Sequence, residues 1–183
     1  MFLSAEPTDR TRLLLAREFR EIREELLNSR ERDRFILKLP EFSLRPQYIT
    51  RALLDANAQI IHFSGHGKTG EQLYFETESG DSLPFEPGIL EDLFKQFSGK
   101  IRCVVLNACF AEKQAKALSK YIDYVIGIQA GISDAAAMAF SIGFYHALGA
   151  GKNIEDSFQH GLIQSGLQNT PEYQIPVLFK RNK

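Results

Sequence analysis

Tryptophan is absent from this 183-residue sequence, cysteine occurs only twice, and neither sign of charge dominates. Each scarcity excludes something. Cys103 and Cys109 would lie about 20 Å apart along one strand at ~3.3 Å per residue, far past the roughly 7 Å Cα limit for a disulfide. Both are therefore read as free thiols in a reducing compartment. No stretch approaches the roughly 20 consecutive apolar residues of a membrane-spanning helix, and Met1-Phe2-Leu3-Ser4 runs straight into charged sequence without a signal-peptide core. A cytoplasmic protein without a membrane partner is expected. The 22 basic residues balance 23 acidic ones, leaving a formal charge of -1 and no electrostatic pull toward nucleic acid. Internal repeats, low-complexity segments and flexible linkers are missing too. With 44% hydrophobic side chains, the chain suits one globular domain over residues 1–183.

What is present alternates between apolar runs and amphipathic stretches. Phe2-Leu3 is read as the remnant of a first strand. A helix follows from about Thr11 to Asn28, with Leu15, Phe19, Ile22 and Leu26 at helical spacing and a solvated Arg/Glu face. Arg34–Leu39 reads as a strand ended by Pro40, and Pro46 opens a helix to about Asn57. Gln59–Ser64 is the next strand, an apolar run of the kind found in a sheet covered on both faces. Leu73-Tyr74-Phe75 and Leu83-Pro84-Phe85 flank Ser79-Gly80-Asp81 as a small hairpin. Beyond it come a helix Pro87–Phe97, the strand Ile101–Asn107, a short helix Glu112–Lys120 and the strand Tyr124–Ile128. An alanine-rich helix Asp134–Leu148, a helix Ile154–Leu167 and a last strand Gln174–Phe179 complete the chain. The alanines and Gly143 suit close helix–sheet packing, while Gly149 and Gly151 suit a helix end. Strands alternating with helices imply parallel neighbours.

Two strand ends carry the chemistry. Ile60-Ile61-His62-Phe63-Ser64-Gly65-His66-Gly67 and Val104-Val105-Leu106-Asn107-Ala108-Cys109 each deliver a reactive side chain at the edge where open α/β sheets bind ligands. Cys109 ends a strand just before a helix, where the helix dipole favours a thiolate, and an imidazole could take its proton and return it to a leaving amine. Glycines on both sides of His66 permit a sharp turn with open backbone N–H groups, the geometry an oxyanion hole requires.

Competing readings are weaker on chemical grounds. Cys103, at the start of its strand, is assigned to packing. Zinc shared by His62, His66 and Cys109 would lack a fourth ligand, and same-face strand residues four apart are separated by about 13 Å. His62 is read as a hydrogen-bonded core residue, and His146 and His160 as structural or surface groups. Gly67-Lys68-Thr69 resembles part of a phosphate loop, but His62 stands where the first glycine belongs and no helix follows. No dinucleotide fingerprint occurs either, so neither metal nor cofactor is expected.

The two strand-end motifs, with Tyr124-Val125-Ile126-Gly127 and Ala136–Phe140, resemble the CHAT domain, a caspase-like peptidase family grouped with separase and gingipains in clan CD. The likeness runs from Phe2 to about Phe179. It implies a caspase–haemoglobinase fold: an α/β three-layer sandwich with a mostly parallel six-stranded sheet and helices on both faces. It also implies cysteine endopeptidase activity on a protein substrate, with His66 as base, Cys109 as nucleophile, and the N–H groups of Gly67 and Cys109 as oxyanion hole. Similar prokaryotic domains act in regulated proteolysis, including immunity and cell death. Relatives that cleave after basic residues carry an Asp two positions before the nucleophile. Here Asn107 holds that substrate-binding position, and a neutral amide cannot pair with a P1 cation in the same way. Asp134 is expected to be an N-cap. Only a short stretch separates Cys109 from the long alanine-rich helix, leaving no room for an activation linker. Control is therefore expected from an activating partner or neighbouring domain that orders Gly67–Phe85 and Gln129–Ser133. The alternative is a latent or inactive caspase-like interaction domain; a flavodoxin-like reading lacks the phosphate loop or acidic cluster it needs.

Overall fold

The apolar runs do form a parallel sheet. The computed structural model describes residues 1–68, 72–169 and 171–181. Its main sheet has five strands: β1 (Phe2–Ala5), β2 (Ile60–Gly65), β6 (Cys103–Asn107), β7 (Tyr124–Ile128) and β8 (Pro176–Lys180), adjacent in that order. The β1–β2, β2–β6 and β6–β7 pairs are parallel. Side chains alternate across it. Ile61, Phe63, Val104, Leu106 and Val125 turn to a core shared with α2 (Pro46–Ala56), α3 (Pro87–Lys95) and α4 (Glu112–Leu118). His62, Ser64, Val105, Asn107 and Ile126 occupy the opposite face and are buried as well, which explains why these strands lack a polar alternation.

Five strands replace the six expected because Arg34–Leu39 does not pair. A 3-10 turn covers Arg32–Arg34, and irregular chain follows it. Ile36 and Leu39 are 81% and 85% exposed, so no burial offsets the cost of ordering a strand there. Contact with β1 begins only after Pro40, which lacks a donor. The Ser4 amide donates to the Glu41 carbonyl at 2.9 Å, and the Glu41 amide to that of Phe2 at 3.0 Å. Past Ser43, which takes φ 53°, the Leu44 amide still donates to the Ser4 carbonyl at 2.8 Å.

A second, antiparallel sheet lies beyond the end of β2. Its strands are β3 (Gly67–Lys68), β4 (Gln72–Glu76) and β5 (Ser82–Phe85), with Gly67 opposite Leu73 and Glu76 opposite Ser82. The expected hairpin is therefore present. Thr77 donates its amide to the Asp81 carbonyl at 2.9 Å, and Gly80 takes φ 87° to close the turn. Residues 69–71, which include part of the Gly-Lys-Thr sequence and of the expected Gly67–Phe85 control loop, lie outside the described residues.

The chain divides into two compact units. Both sheets belong to the first, comprising Met1–Leu13, Lys38–Gly131 and Val177–Lys183; the second comprises Leu14–Leu37 and Ile132–Pro176. In the second, α1 (Leu15–Leu27), α5 (Asp134–Gly149) and α6 (Ile154–Leu167) pack together. The buried stripe of α1 includes Glu18 in place of Phe19; its carboxylate accepts the Ser141 hydroxyl at 2.9 Å. Close approach at Gly143 is helix-on-helix rather than helix-on-sheet: a Cβ there would stand 2.8 Å from the His160 carbonyl oxygen and 3.1 Å from the Gly161 Cα. Ser133, not Asp134, caps α5, accepting the Ala136 amide at 3.3 Å. His146 meets Glu25 at 2.6 Å. No helix among the described residues is long and apolar enough to cross a membrane.

Candidate active site

Parallel register sets the level at which the two motifs leave the sheet. Ser64 pairs with Asn107, and His66 and Cys109 each follow two residues after this pair, just past the ends of β2 and β6. Both are half-buried, whereas Asn107 is buried at the end of β6. The backbones touch here. A Cβ on Gly67 would overlap the carbonyl oxygen of Cys109 and stand 2.9 Å from its carbonyl carbon and 3.3 Å from its amide nitrogen. Glycine is therefore required at 67 by close approach, and the segment bearing the imidazole lies against the residue bearing the thiol.

Thr11 adds a group that sequence reasoning missed. His66 Nε2 lies 2.7 Å from the Thr11 carbonyl oxygen. A carbonyl only accepts, so Nε2 carries hydrogen, and in the neutral ring Nδ1 keeps the lone pair needed by a base. A helix starting near Thr11 would have used that carbonyl internally; α1 instead begins at Leu15 and leaves it open. The turn-forming Pro7-Thr8-Asp9 run was the available signal for a later start.

The helix dipole contributes less than anticipated. The helix after Cys109 is only seven residues long, starts at Glu112 and has that acidic side chain in its first turn. Between them, Phe110 adopts φ 58°, a left-handed conformation costly for a bulky residue, and its amide meets the Ala130 carbonyl at 3.4 Å. At the other end of β6, burial pushes the Cys103 thiol up to about 12, consistent with packing alone. His62 is buried with its ring stacked on Phe2, centroids 5.1 Å apart. Among the described residues, no group of three His, Cys, Asp or Glu side chains is placed to hold a metal ion.

No family model matches the sequence. A probable protease of Gillisia limnaea is 25% identical over 199 aligned positions, covering all of this chain and 35% of the relative. A Roc-COR-CHAT protease from an unknown prokaryotic organism is 22% identical over 197 positions, again across the whole chain but only 18% of the relative. The chain thus spans about a third or less of the curated relatives it matches. Among solved structures, the Arg-specific cysteine proteinase gingipain R superposes with a TM-score of 0.64 at 11% identity, over 98% of this chain and 46% of that one. The chain has a mixed α/β fold of the clan CD cysteine-peptidase type, and a protein named for its CHAT protease is among its homologues.

Proposed function

We propose that this chain is the catalytic domain of a cysteine endopeptidase of the CHAT type, with Cys109 as nucleophile and His66 as general base and acid. The observation that carries the reading is the Ser64–Asn107 register together with the seating of Gly67 on the Cys109 backbone. In the first step, Cys109 Sγ bonds to the scissile carbonyl carbon while its proton passes to His66 Nδ1. Amides of Gly67 and Cys109 stabilise the resulting oxyanion. The C–N bond then breaks, the imidazolium proton leaves with the amine, and a thioester remains on Cys109. Water adds to that thioester with His66 accepting its proton; collapse releases the acid, and the thiolate recovers the proton. Asn107 contributes to the P1 site, where it cannot supply the charge of an Asp. The setting is regulated proteolysis in a prokaryotic defence or signalling pathway in the cytoplasm, switched by a partner or neighbouring domain that acts on the segments Gly67–Phe85 and Gln129–Ser133.

Iodoacetamide alkylation at pH 7 tests the reading, followed residue by residue by mass spectrometry. Cys109 in the parent protein is expected to react at least about tenfold faster than in His66→Ala, because the thiolate is the reacting form and the imidazole takes its proton. Equal rates would mean that the pair is not assembled and would leave the interaction-domain reading. A substrate search follows only from the first outcome, with Cys109→Ala as the inactive reference. Self-cleavage within residues 110–133 as a condition of activity would overturn control by a partner.

A further inference from the structure

A strap of residues 6–13 joins β1 to α1 and ties the candidate base to the outer hairpin. At its start, Glu6 donates its amide to Glu76 Oε1 at 2.7 Å, while its own Oε1 accepts the Leu13 amide at 2.6 Å. Thr8 then reaches the hairpin turn, its amide 2.8 Å and its hydroxyl 3.2 Å from the Gly80 carbonyl. Asp9 grips Ser82 at both oxygens: Oδ1 accepts the Ser82 amide at 2.9 Å and Oδ2 the Ser82 hydroxyl at 2.7 Å. Arg10 donates Nη2 to the same hydroxyl at 3.3 Å and lays its guanidinium 4.2 Å from the Tyr74 ring centroid. The next residue is Thr11, whose carbonyl meets His66 Nε2.

The circuit closes through the backbone. Tyr74, under the Arg10 guanidinium, donates its amide to the His66 carbonyl at 3.1 Å. His66 is thus held at its ring by the strap and at its main chain by β4, and the strap itself is fastened to β5 through Asp9. Hydrogen bonding from Ser82 also holds the Asp9 carboxyl below its ordinary value, as expected of an ionised acceptor.

We propose that Asp9 and Ser82 are positioning residues for His66: their bidentate clasp fixes the strap so that the Thr11 carbonyl holds hydrogen on Nε2 and leaves Nδ1 free to act as base. The catalytic part of this inference rests on the proposed function above, but the tautomer does not. Neither Asp9 nor Ser82 touches the imidazole. A hairpin displaced by a partner would move the strap with it, which makes the clasp a route from the outer sheet to the base.

Long-range 1H–15N correlation of the His66 ring in labelled full-length protein reads the tautomer directly. The parent is expected to show the Nε2–H form. Asp9→Ala is expected to give averaged shifts of both tautomers and about a threefold to tenfold slower alkylation of Cys109 by iodoacetamide at pH 7. Asp9→Asn retains an acceptor for the amide and a donor for the hydroxyl, and should restore both readouts. Ser82→Ala keeps the amide bond and loses the hydroxyl bonds, so a smaller shift in the same direction is expected; it also serves if Asp9→Ala fails to fold. Parent-like ring shifts in Asp9→Ala, or mixed tautomers in the parent, would overturn the clasp. If His66→Ala leaves the parent's Cys109 rate unchanged, the base assignment fails instead, and the ring shifts still decide the clasp.

Discussion

One cysteine opens β6 and the other lies two residues past its end, in opposite circumstances. Cys103 pairs with Ile60 on one side and Tyr124 on the other, in a ladder that closes around it until none of its surface is exposed. Pairing with β7 extends only to Val105, and pairing with β2 only to Asn107, so Cys109 stands beyond both ladders and is half-buried. A parallel sheet satisfies its backbone by hydrogen bonding along its length, and freed donors appear only where pairing stops. The contrast shows that the exposure of a thiol here is decided by where the ladder ends, not by residue type.

The largest expected effect comes from the sealed end. Burial raises the Cys103 thiol from an ordinary 9.0 to about 12. Between those values the unfolded chain has released this proton and the folded chain has not, so the contribution is fully present below about pH 9 and is lost as pH rises toward about 12. At 1.36 kcal/mol per unit, the loss is on the order of 4 kcal/mol. Urea unfolding across this window should show the decline, and Cys103→Ala should flatten its part of it. Alkylation provides a second test of the contrast. The native protein at pH 8 should acquire a single adduct, on Cys109, with Cys103 modified only after unfolding. Two adducts on folded protein would erase the distinction.

At the open end, the close backbone approach is the feature to break. Gly67→Ala forces a methyl group into the Cys109 carbonyl, where rigid backbone rather than a flexible side chain must yield. A loss of about 3 kcal/mol in unfolding free energy is expected, at the upper end for overpacking. Gly88→Ala is the matched control: it lies in the first turn of α3 and nothing stands within 4 Å of its added Cβ. Helix propensity should make that variant neutral or up to about 1 kcal/mol more stable. Equal effects of the two substitutions would contradict the contact between residues 67 and 109.

How much of this was legible in the sequence depended on whether a residue answers to local or to long-range partners. The β2 and β6 runs were readable because continuous apolar character at Ile60–Phe63 and Cys103–Leu106 demands burial on two faces. His66 and Cys109 were readable as residues just past strand ends, and Gly67 because glycines flank the histidine. Arg34–Leu39 had the same local character as those strands, yet no strand among the described residues pairs with it, and strand formation is decided by the neighbour. Thr11 was hidden for a related reason. Arg10 to Arg12 fit a helix locally, but Asp9 and Arg10 are engaged by Ser82, which lies 73 and 72 residues away, and these bonds fix the strap as irregular chain. Glu18 on a buried stripe likewise depended on Ser141, a partner 123 residues distant.

The smallest effect concerns the backbone immediately after Cys109. Phe110 sits at φ 58°, where a Cβ costs about 1–2 kcal/mol, and no such cost falls on glycine. Its ring reaches the Gly131 loop, with Cζ 4.0 Å from where a Gly131 Cβ would stand, so removing the ring has its own penalty. Comparing Phe110→Gly with Phe110→Ala cancels that penalty, because both variants lack the ring. Glycine also gains more freedom than alanine in the unfolded chain, which takes back about 0.5–1 kcal/mol. Phe110→Gly should therefore unfold less readily than Phe110→Ala by a few tenths to about 1 kcal/mol. This would reverse the usual order of the two residues, as expected only where the native backbone is left-handed. Greater stability of the alanine variant would mean that the chain leaves Cys109 without strain and that the surroundings of the two cysteines differ only in burial.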